Sequence, residues 1–586
     1  MMAWLGANLA PVMFTALALM LVSGVPVVFG LAACGLGFAA LGVALDLMPP
    51  ALMQALPLRV FGIMSSELLL AIPFFTFMGL VLDKSHLAED LLETVADVFG
   101  PMRGGLALAV VLVGALLAAT TGVVAAAVIS MGLISLPAML RHGYSPRLAA
   151  GVIAASGSLT QIVPPSLALI VVADQLGRGV GEMYSAALLP AAIIIGAYVL
   201  LLLCISVVKP QWMPATPGQV SGASADRPSR GYRSLAWLAL VSAVGSWVFM
   251  QQYPALLHRM GRDIAPPPPD ERVIVGLAVA IAVGFGVACI DRWLRLGWLS
   301  RMTQRVAFVL IPPLVLIFLV LGTIYLGVAT PTEGGALGAV GAWLFATLRR
   351  RLTLQGFFDA LLQTAKLSCF VLFILIGSTI FSHTFNAVDG GVWVAQLFAH
   401  VPGGVTGFLL VVTALTFLLG LFLDFFEIAF VLIPLLSPVA TALGIDLVWF
   451  GVLIAINLQA SFLTPPFGYA LFFLRNVAPR EPHHDAVSGN ILPPVTTTDI
   501  YLGALPFVGV QLLVMVAIIV WPSLIRLDIG RVPALDDATV LRVLDRFGRD
   551  DVPYTPDQAP PDPLQWLKDD LRQRPVPPPS ATPLPR

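Results

Sequence analysis

From residue 8 to residue 525 the chain offers one apolar stretch after another, each long enough to cross a bilayer, where a helix needs roughly 20 mostly apolar residues. This requirement leaves an all-α polytopic membrane protein. A transmembrane β-barrel is excluded because the apolar runs are continuous, whereas barrel strands alternate over about 10 residues. A soluble multidomain enzyme is excluded by the scarcity of charge: 11% of residues are charged, against about 25% in soluble domains. The scarcity is sharper in the body, since residues 526–586 hold 9 Arg/Lys and 10 Asp and leave 23 basic and 23 acidic residues for the other 525. A net charge of −1 supplies no basic field for nucleic acid, so none is expected as a partner. The N-terminus has no positive n-region and runs straight into further apolar sequence, which reads as a first membrane helix and not a cleaved signal.

Candidate membrane segments lie near 8–23, 25–45, 67–82, 106–140, 148–176, 184–208, 233–250, 274–290, 306–328, 332–347, 367–386, 404–440, 446–476 and 500–525. The charged amphipathic stretches 86–99 and 353–365 are expected to lie at the membrane surface. The chain therefore divides into a first half (1–208), a linker with an inserted helix pair (209–305), a second half (306–525) and a Pro/Asp-rich extramembrane tail (526–586) with one amphipathic stretch at 535–548. Residues 209–232 are Pro/Ser/Gly-rich and polar, and the inserted pair is joined by a charged loop containing Pro266 to Pro269. Cys34, Cys204, Cys289 and Cys369 sit singly in apolar segments and read as buried thiols.

Helix breakers recur at a fixed spacing. At an offset of 301 residues Pro101 matches Pro402, Pro137 matches Pro438, Gly143 matches Gly444, and Pro164-Pro165 matches Pro465-Pro466. At an offset of 305, Pro26 matches Pro331 and Gly30 matches Gly335. Chance produces one such pair among 47 Pro and 52 Gly, but not five at one offset, so the halves form an internal repeat. Basic clusters at Lys209/Arg227/Arg230/Arg233, Arg292/Arg295/Arg301/Arg305 and Arg349/Arg350/Arg351 fall on the cytoplasmic side by the positive-inside rule. An odd number of crossings before Lys209 then makes the repeats inverted, a plan common among secondary transporters.

Each half carries a broken helix. In 148–176, Ser156-Gly157-Ser158 and Pro164-Pro165-Ser166 interrupt an apolar stretch; in 448–476, Asn457, Gln459, Ser461 and Thr464-Pro465-Pro466 do the same. Proline removes a backbone donor and clashes with the carbonyl four residues back. Freed carbonyls in lipid are costly unless they line a cavity or bind something. Unwound carbonyls with Ser, Thr and Asn oxygens suit Na⁺, while half-helix N-termini suit a carboxylate. A single membrane proline is more often a packed kink with hydroxyls bonded back to their own helix; duplication shifts the balance toward binding.

Before each broken helix lies an apolar run, 106–140 and 404–440, of 35 and 37 residues, interrupted by Thr120-Thr121-Gly122 and by Asp424. A helical hairpin that enters and leaves on one side explains both the length and the interruption, with its tip near the broken helix. Asp424, Glu427 and Glu333 are carboxylates in apolar surroundings, which are functional candidates by default. Thr330-Pro331-Thr332-Glu333 also reads as a helix start, so Glu333 is equally a cap or a coupling residue. Asp424 is read as coupling or as hairpin-tip structure, and Glu427 as facing a neighbour or water. His483-His484-Asp485 lies in a polar Pro-rich loop and reads as a solvated turn. HExxH, GxxxxGK[ST] and GxSxG are absent from the sequence, so metalloprotease, ATP-driven and hydrolase chemistry lack their motifs.

The stretch LLAATTGVVAAAVISMGLISLPAMLRHGYSPRLAAGVIAASGSLTQIVPPS, with ELLLAIPFFTFMG at 67–79, GVATPTEGGALGA at 327–339, LGLFLDFFEIAFVLIPLLSP at 419–438 and NLQASFLTPPFGYALF at 457–472, closely resembles the large membrane subunit of tripartite ATP-independent periplasmic (TRAP) transporters. The long form with an inserted pair resembles the branch labelled mannitol/chloroaromatic-compound type. The resemblance implies a bacterial inner-membrane elevator transporter, not an enzyme, with Na⁺ as coupling ion and no other cofactor. It implies import of an organic acid delivered by a periplasmic substrate-binding protein, and a four-helix small membrane subunit on the scaffold. By position, the first hairpin tip corresponds to Thr120-Thr121-Gly122, where Val123 and Val124 replace hydroxyl residues common at that tip. Ser156-Gly157-Ser158, Asn457 and Thr464-Pro465-Pro466 fit the family pattern, and Na⁺ is expected near Ser156, Asn457 and Thr464. The alternatives are a stand-alone Na⁺ or H⁺/carboxylate symporter and a non-transporting membrane scaffold.

Overall fold

In a computed structural model, the described residues are 8–99, 102–214, 228–259, 269–325, 327–485, 489 and 491–525. Pro101, the linker residues 215–227, most of the loop before Pro269 and the whole tail with its 535–548 stretch lie outside them. The first half comprises α1 (Leu9–Val22), α2 (Val27–Ala44), α3 (Ala51–Gln54), α4 (Leu56–Met64), α5 (Ala71–Lys84), α6 (Leu87–Phe99), α7 (Gly105–Thr121), α8 (Val124–Arg141), α9 (Pro146–Ser158), α10 (Leu167–Leu176) and α11 (Val180–Val208). The inserted pair is α12 (Pro228–Arg259) and α13 (Pro269–Leu294). The second half comprises α14 (Arg301–Tyr325), α15 (Pro331–Leu348), α16 (Leu354–Ala387), α17 (Gly390–Ala399), α18 (Gly404–Leu419), α19 (Phe425–Ala442), α20 (Leu447–Phe462), α21 (Tyr469–Val477) and α22 (Thr497–Val520). Among the described residues, nine helices are long and apolar enough to cross a membrane, or up to 11 if two bent pairs each count as one span.

The halves interlock. α2 of the first half packs on α16 of the second, where a side chain at Gly35 would meet Ile380 at 2.8 Å. α15 of the second packs on α5 of the first, where one at Gly335 would meet Phe75 at 3.0 Å. The direction of these helices follows from two cavities: Leu69, Ile72 and Pro73 face Ser368 and Leu372, whereas Thr76, Leu80 and Asp83 face Gln363 and Leu367. α5 and α16 therefore run antiparallel. Since α5 corresponds to the C-terminal part of α16, the two repeats traverse the membrane in opposite senses, as inverted repeats must.

Helix starts follow capping chemistry. Thr330 and Glu333 form a capping box before α15 with Pro331 at its first position, and Thr496 and Asp499 form another before α22. Two surface expectations change. Residues 353–365 are not a separate interfacial helix: capped by Thr353, they run without a break into the span, so α16 is one helix of 34 residues, or about 51 Å at 1.5 Å per residue, longer than the ~30 Å hydrocarbon core. The corresponding first-half stretch is bent by 48° between α4 and α5. His483-His484-Asp485 is no solvated turn either: His483 and His484 pair with Leu492 and Ile491 in a two-stranded ladder. Asp485 is buried there, accepting two bonds from Arg141 at 2.8 and 2.9 Å, because a carboxylate enters the interior only when paired. No group of three or more His, Cys, Asp or Glu poised for a metal occurs among the described residues. Cys34 is buried, but Cys204 and Cys369 are exposed and Cys289 is half-buried, so burial holds for one of the four.

The inserted pair joins the fold through its own small core, in which Leu238 of α12 and Ala288 of α13 meet Leu299 and Ala307. Its spans bury only 6% and 17% of their residues inside the chain. The pair is thus attached to the edge at α14, away from the hairpins.

Candidate functional site

Both apolar runs fold as helical hairpins. The first turns at Gly122, whose left-handed φ of +64° ends α7, a conformation that glycine adopts without steric cost. A side chain at Gly122 would meet Leu167, the first residue of α10, at 2.9 Å. The first tip therefore touches the restart of the first broken helix. The second hairpin turns through 420–424, where the rings of Phe422 and Phe467 lie 4.8 Å apart, so the second tip touches the second break at the equivalent place. Legs of 16 to 18 residues span about 24–27 Å.

The first broken helix runs through α9, a 3-10 turn at Leu159–Gln161, the cis Pro164-Pro165 bond and then α10. Pro164, Pro165 and Ser166 are buried. Its hydroxyls turn inward on the segment itself. Ser156 donates to Val152 O (2.7 Å), Ser158 to Ala155 O (2.8 Å) and Thr160 to Gly157 O (3.0 Å). Ser166 Oγ lies 2.9 Å from Thr160 O and 3.0 Å from Gln161 O, covering carbonyls that the break leaves without helical donors. Thr120 at the hairpin end is buried and likewise donates to Leu117 O (2.9 Å); the Thr121 side chain lies outside the described residues.

The hairpin packs on this helix at van der Waals closeness. A side chain at Gly157 would meet Val128 at 2.4 Å and its backbone at 3.1 Å, so only glycine lets α8 approach. A side chain at Gly114 of α7 would meet Ser156 Cβ at 2.5 Å.

The second broken helix runs through α20, the cis Pro465-Pro466 bond and α21. Here the polar groups reach out. Asn457 Nδ2 donates to Thr413 O (2.8 Å) and Ser461 Oγ to Phe417 O (2.6 Å), both carbonyls on α18. Thr464 donates back to Ala460 O (2.9 Å), while Pro466 and Phe467 are exposed. Asp424 and Glu427 make a reciprocal cap on α19: Glu427 N donates to Asp424 Oδ1 (2.8 Å) and Asp424 N to Glu427 Oε2 (3.0 Å). Of the two roles open to Asp424, the geometry is that of hairpin-tip structure. Glu333 has the same geometry with Thr330 and is exposed.

Between the halves, Gln459 Nε2 lies 3.5 Å from Ser158 Oγ. These residues are 301 positions apart, and equivalent positions meet only where a pseudo-two-fold axis passes. Ser156 and Asn457 flank that axis, each beside its own half's hairpin: Ser156 against Gly114 of α7 and Asn457 against Thr413 of α18. Around them Asn457 Oδ1, Gln459 Oε1, Thr416 Oγ1 and both polar atoms of Gln161 are buried without a hydrogen-bond partner among the described residues. Such atoms are costly unless something binds them.

Three contacts escaped sequence reasoning. Tyr184 OH donates to Ser166 O (3.3 Å) and Tyr501 OH to Pro466 O (2.7 Å); each tyrosine is the fifth residue of its helix, α11 or α22, and each serves a carbonyl of a break. No common spacing signalled them, since Tyr184 follows Pro165 by 19 residues and Tyr501 follows Pro466 by 35. Ser130 of α8 donates to Asp83 Oδ1 of α5 (2.6 Å). That bond borders a cavity of about 170 Å³ at the first tip, lined by Val123, Ala125 and Ala126 from the hairpin and by Thr76, Asp83 and Gln363 opposite.

Comparison with known proteins yields one family match and several relatives. The family described as "Tripartite ATP-independent periplasmic transporter, DctM component" matches residues 14–524. The chain is 26% identical over 471 residues to the isethionate TRAP transporter permease protein DctMQ of Oleidesulfovibrio alaskensis, covering 80% of this chain and 60% of that protein. It is 25% identical to the C4-dicarboxylate TRAP transporter large permease protein DctM of Pseudomonas aeruginosa, covering 73% of this chain and 81% of that one. To the corresponding protein of Rhodobacter capsulatus it is 27% identical, covering 79% and 89%.

Proposed function

Because this chain belongs to the DctM family and is a TRAP transporter large permease subunit, a multi-pass inner-membrane protein and not an enzyme, we propose that it imports an organic acid by Na⁺-coupled secondary transport. One observation carries the coupling ion: the second broken helix and the hairpin leg α18 bury oxygens of Asn457, Gln459 and Thr416 with no hydrogen-bond partner among the described residues, and Gln459 is the residue that meets its repeat equivalent Ser158. Oxygen donors without nitrogen or sulfur partners suit a hard cation. Na⁺ is read as bound in two equivalent positions. One uses Asn457 and Thr464 with the carbonyls around Pro465 and Pro466; the other uses Ser156, Gly157 and Ser158 with those around Pro164, Pro165 and Ser166.

The substrate belongs at the hairpin tips. The N-terminal ends of α8 and α10, beside Thr120, Thr121 and Gly122, offer backbone donors to a carboxylate. The cavity at Val123 supports this reading, and its opposite wall of Thr76 and Gln363 supplies polar groups that the valines at the tip lack. Asp424 shapes the second tip by capping, and Glu333 serves as a cap in place of a coupling residue. Na⁺ completing the site before the carboxylate binds makes each raise the other's affinity. The two repeat-built hairpins and broken helices then move together past the α2, α5, α15 and α16 scaffold, as an elevator. A periplasmic substrate-binding protein and a small four-helix membrane subunit complete the system.

The test is uptake into proteoliposomes holding the chain with its small subunit and binding protein, using labelled C4-dicarboxylate, sialic acid and isethionate as probes. Accumulation that collapses when Na⁺ is replaced by K⁺ supports the proposal. Accumulation unchanged without Na⁺ and abolished by an uncoupler overturns it in favour of protons, and uptake without the binding protein favours a stand-alone symporter.

A further inference from the structure

A groove of about 520 Å³ opens on the outer face of the scaffold, between α5, α15 and α16. Its walls are Phe74 and Phe77, Val340 and Trp343, and Phe357 and Leu361. Thr364 brings the groove's hydroxyl, and that group already donates to Ala360 O at 2.8 Å. The groove therefore offers mostly hydrocarbon surface, with the indole N–H of Trp343 as its other polar group, which fits an acyl chain and not a polar solute.

The end of the groove is different. α5 and α15 run parallel, since Gly335 faces Phe74 and Phe75 while Gly338 faces Met78, so both finish on the same side, at Lys84 and at Arg349-Arg350-Arg351. Gly356, next to the groove-lining Phe357, lies 4.0 Å from Lys84 Cβ by the position of its missing side chain. α16 also begins here, with its first-turn donors facing the same side. Arg349 bonds Asp90 at 3.3 Å and the carbonyl of Phe308, and Arg351 approaches the same Asp90 at 3.7 Å. Two arginines thus share one carboxylate, while Lys84 and Arg350 make no ion pair with a described residue. Arg350 is held in a left-handed conformation (φ 53°), which turns the chain sharply between α15 and α16 and leaves its side chain exposed.

We propose that this groove is a binding site for an anionic phospholipid of the cytoplasmic leaflet, with one acyl chain between Phe77, Trp343 and Phe357 and the phosphate at Lys84, Arg350 and the start of α16. The positive end selects the headgroup: an anionic lipid gains the uncompensated charges there, whereas a zwitterionic one does not. The apolar walls select a lipid over a soluble anion. The site lies on helices that pack across the two halves, so its occupant braces the scaffold.

Native mass spectrometry of the full chain, extracted from bacterial membranes in mild detergent, tests this. Wild type is expected to retain one phosphatidylglycerol or cardiolipin in preference to phosphatidylethanolamine. Lys84→Gln, at a half-buried position, with Arg350→Asn, at an exposed one, should cut that preference at least tenfold while leaving the elution volume unchanged. Val340→Trp, at the exposed rim, should lower retention of both lipid classes. Equal retention of phosphatidylethanolamine by wild type, a preference untouched by the double variant, or loss of all lipid when the small subunit is bound would each overturn the site; the last outcome would mean that a protein helix fills the groove.

Discussion

The two helix breaks stand at equivalent places and are locked in different ways. The first is sealed: Pro164, Pro165 and Ser166 are buried, and Ser156, Ser158, Thr160 and Ser166 all donate within their own segment. Its hairpin is held by shape, with α8 backbone against Gly157 and α7 against Ser156. The second is open, with Pro466, Phe467 and Phe422 exposed. Its hairpin is held by hydrogen bonds from Asn457 and Ser461 to carbonyls of α18. The two share a tyrosine on the following long helix, Tyr184 or Tyr501, bonded to a carbonyl of the break. A duplicated backbone plan therefore does not require duplicated side-chain chemistry. Breaking the helix creates the same debt of unpaired carbonyls twice, and each half settles it with what its own packing allows.

The sharpest way to break this contrast is Gly157→Leu, which gives the first half the residue that Leu458 supplies in the second. The new side chain would strike Val128 within 2.4 Å at its first atom, and overpacking of this kind costs about 1–3 kcal/mol or more. Membrane levels and melting temperature in detergent should both fall, with uptake lost. A stable, active variant would show that the first hairpin is not held by close approach. Next comes Asn457→Leu, which removes the donor to Thr413 O and the buried Oδ1 together. It should lower Na⁺-dependent uptake by a factor of about 5–150, from the roughly 1–3 kcal/mol cost of a stranded buried group, with protein still in the membrane. Ser156→Ala should cost less, because Ser156 donates only to its own helix. Equal losses at the two positions would erase the asymmetry.

The repeat and its breaks were legible because proline and glycine act locally. Pro164-Pro165 and Pro465-Pro466 disrupt a helix whatever surrounds them, and the hairpin limits expected at 106–140 and 404–440 fall within two residues of the helices found. Segment 51–64 escaped: Pro50 and Pro57 stand just before or at a helix start, where proline is well tolerated. The length of α16 escaped for the opposite reason: charge at its N-terminal end read as a boundary, but no breaker follows and the helix continues. Side-chain partners were the least legible. Whether Asn457 faces Thr413, or Gln459 meets Ser158, depends on how α18, α20 and α9 are brought together, and no local spacing encodes that. The offset did carry one hidden contact, for Ser158 and Gln459 are separated by the repeat spacing itself.

Smaller effects separate caps from coupling groups. Asp424 is half-buried at the second tip and has no acidic counterpart at the first, where Gly122 makes the turn. If its work is to cap α19, Asp424→Asn should keep both the cap and Na⁺-dependent uptake, since asparagine caps as well as aspartate. Asp424→Ala should lose about 0.5–2 kcal/mol, read as a lower melting temperature with reduced uptake. Loss of uptake in Asp424→Asn at unchanged stability would assign the charge itself a role in transport.

Glu333 should respond least. It is exposed, and its carboxylate accepts from Thr330 N (2.8 Å) and Thr330 Oγ1 (3.1 Å), bonds that a glutamine oxygen can also accept. Glu333→Gln removes the favourable charge from the first turn of α15 and keeps the box, a change of about 0.3–1 kcal/mol in exposed settings. Uptake should stay near wild type from pH 6 to pH 8, roughly the range over which a coupling carboxylate raised toward neutrality would change protonation. A pH-dependent uptake that flattens in Glu333→Gln would show that this carboxylate carries protons, and would move coupling away from the oxygens of the breaks to the scaffold helix that Glu333 caps.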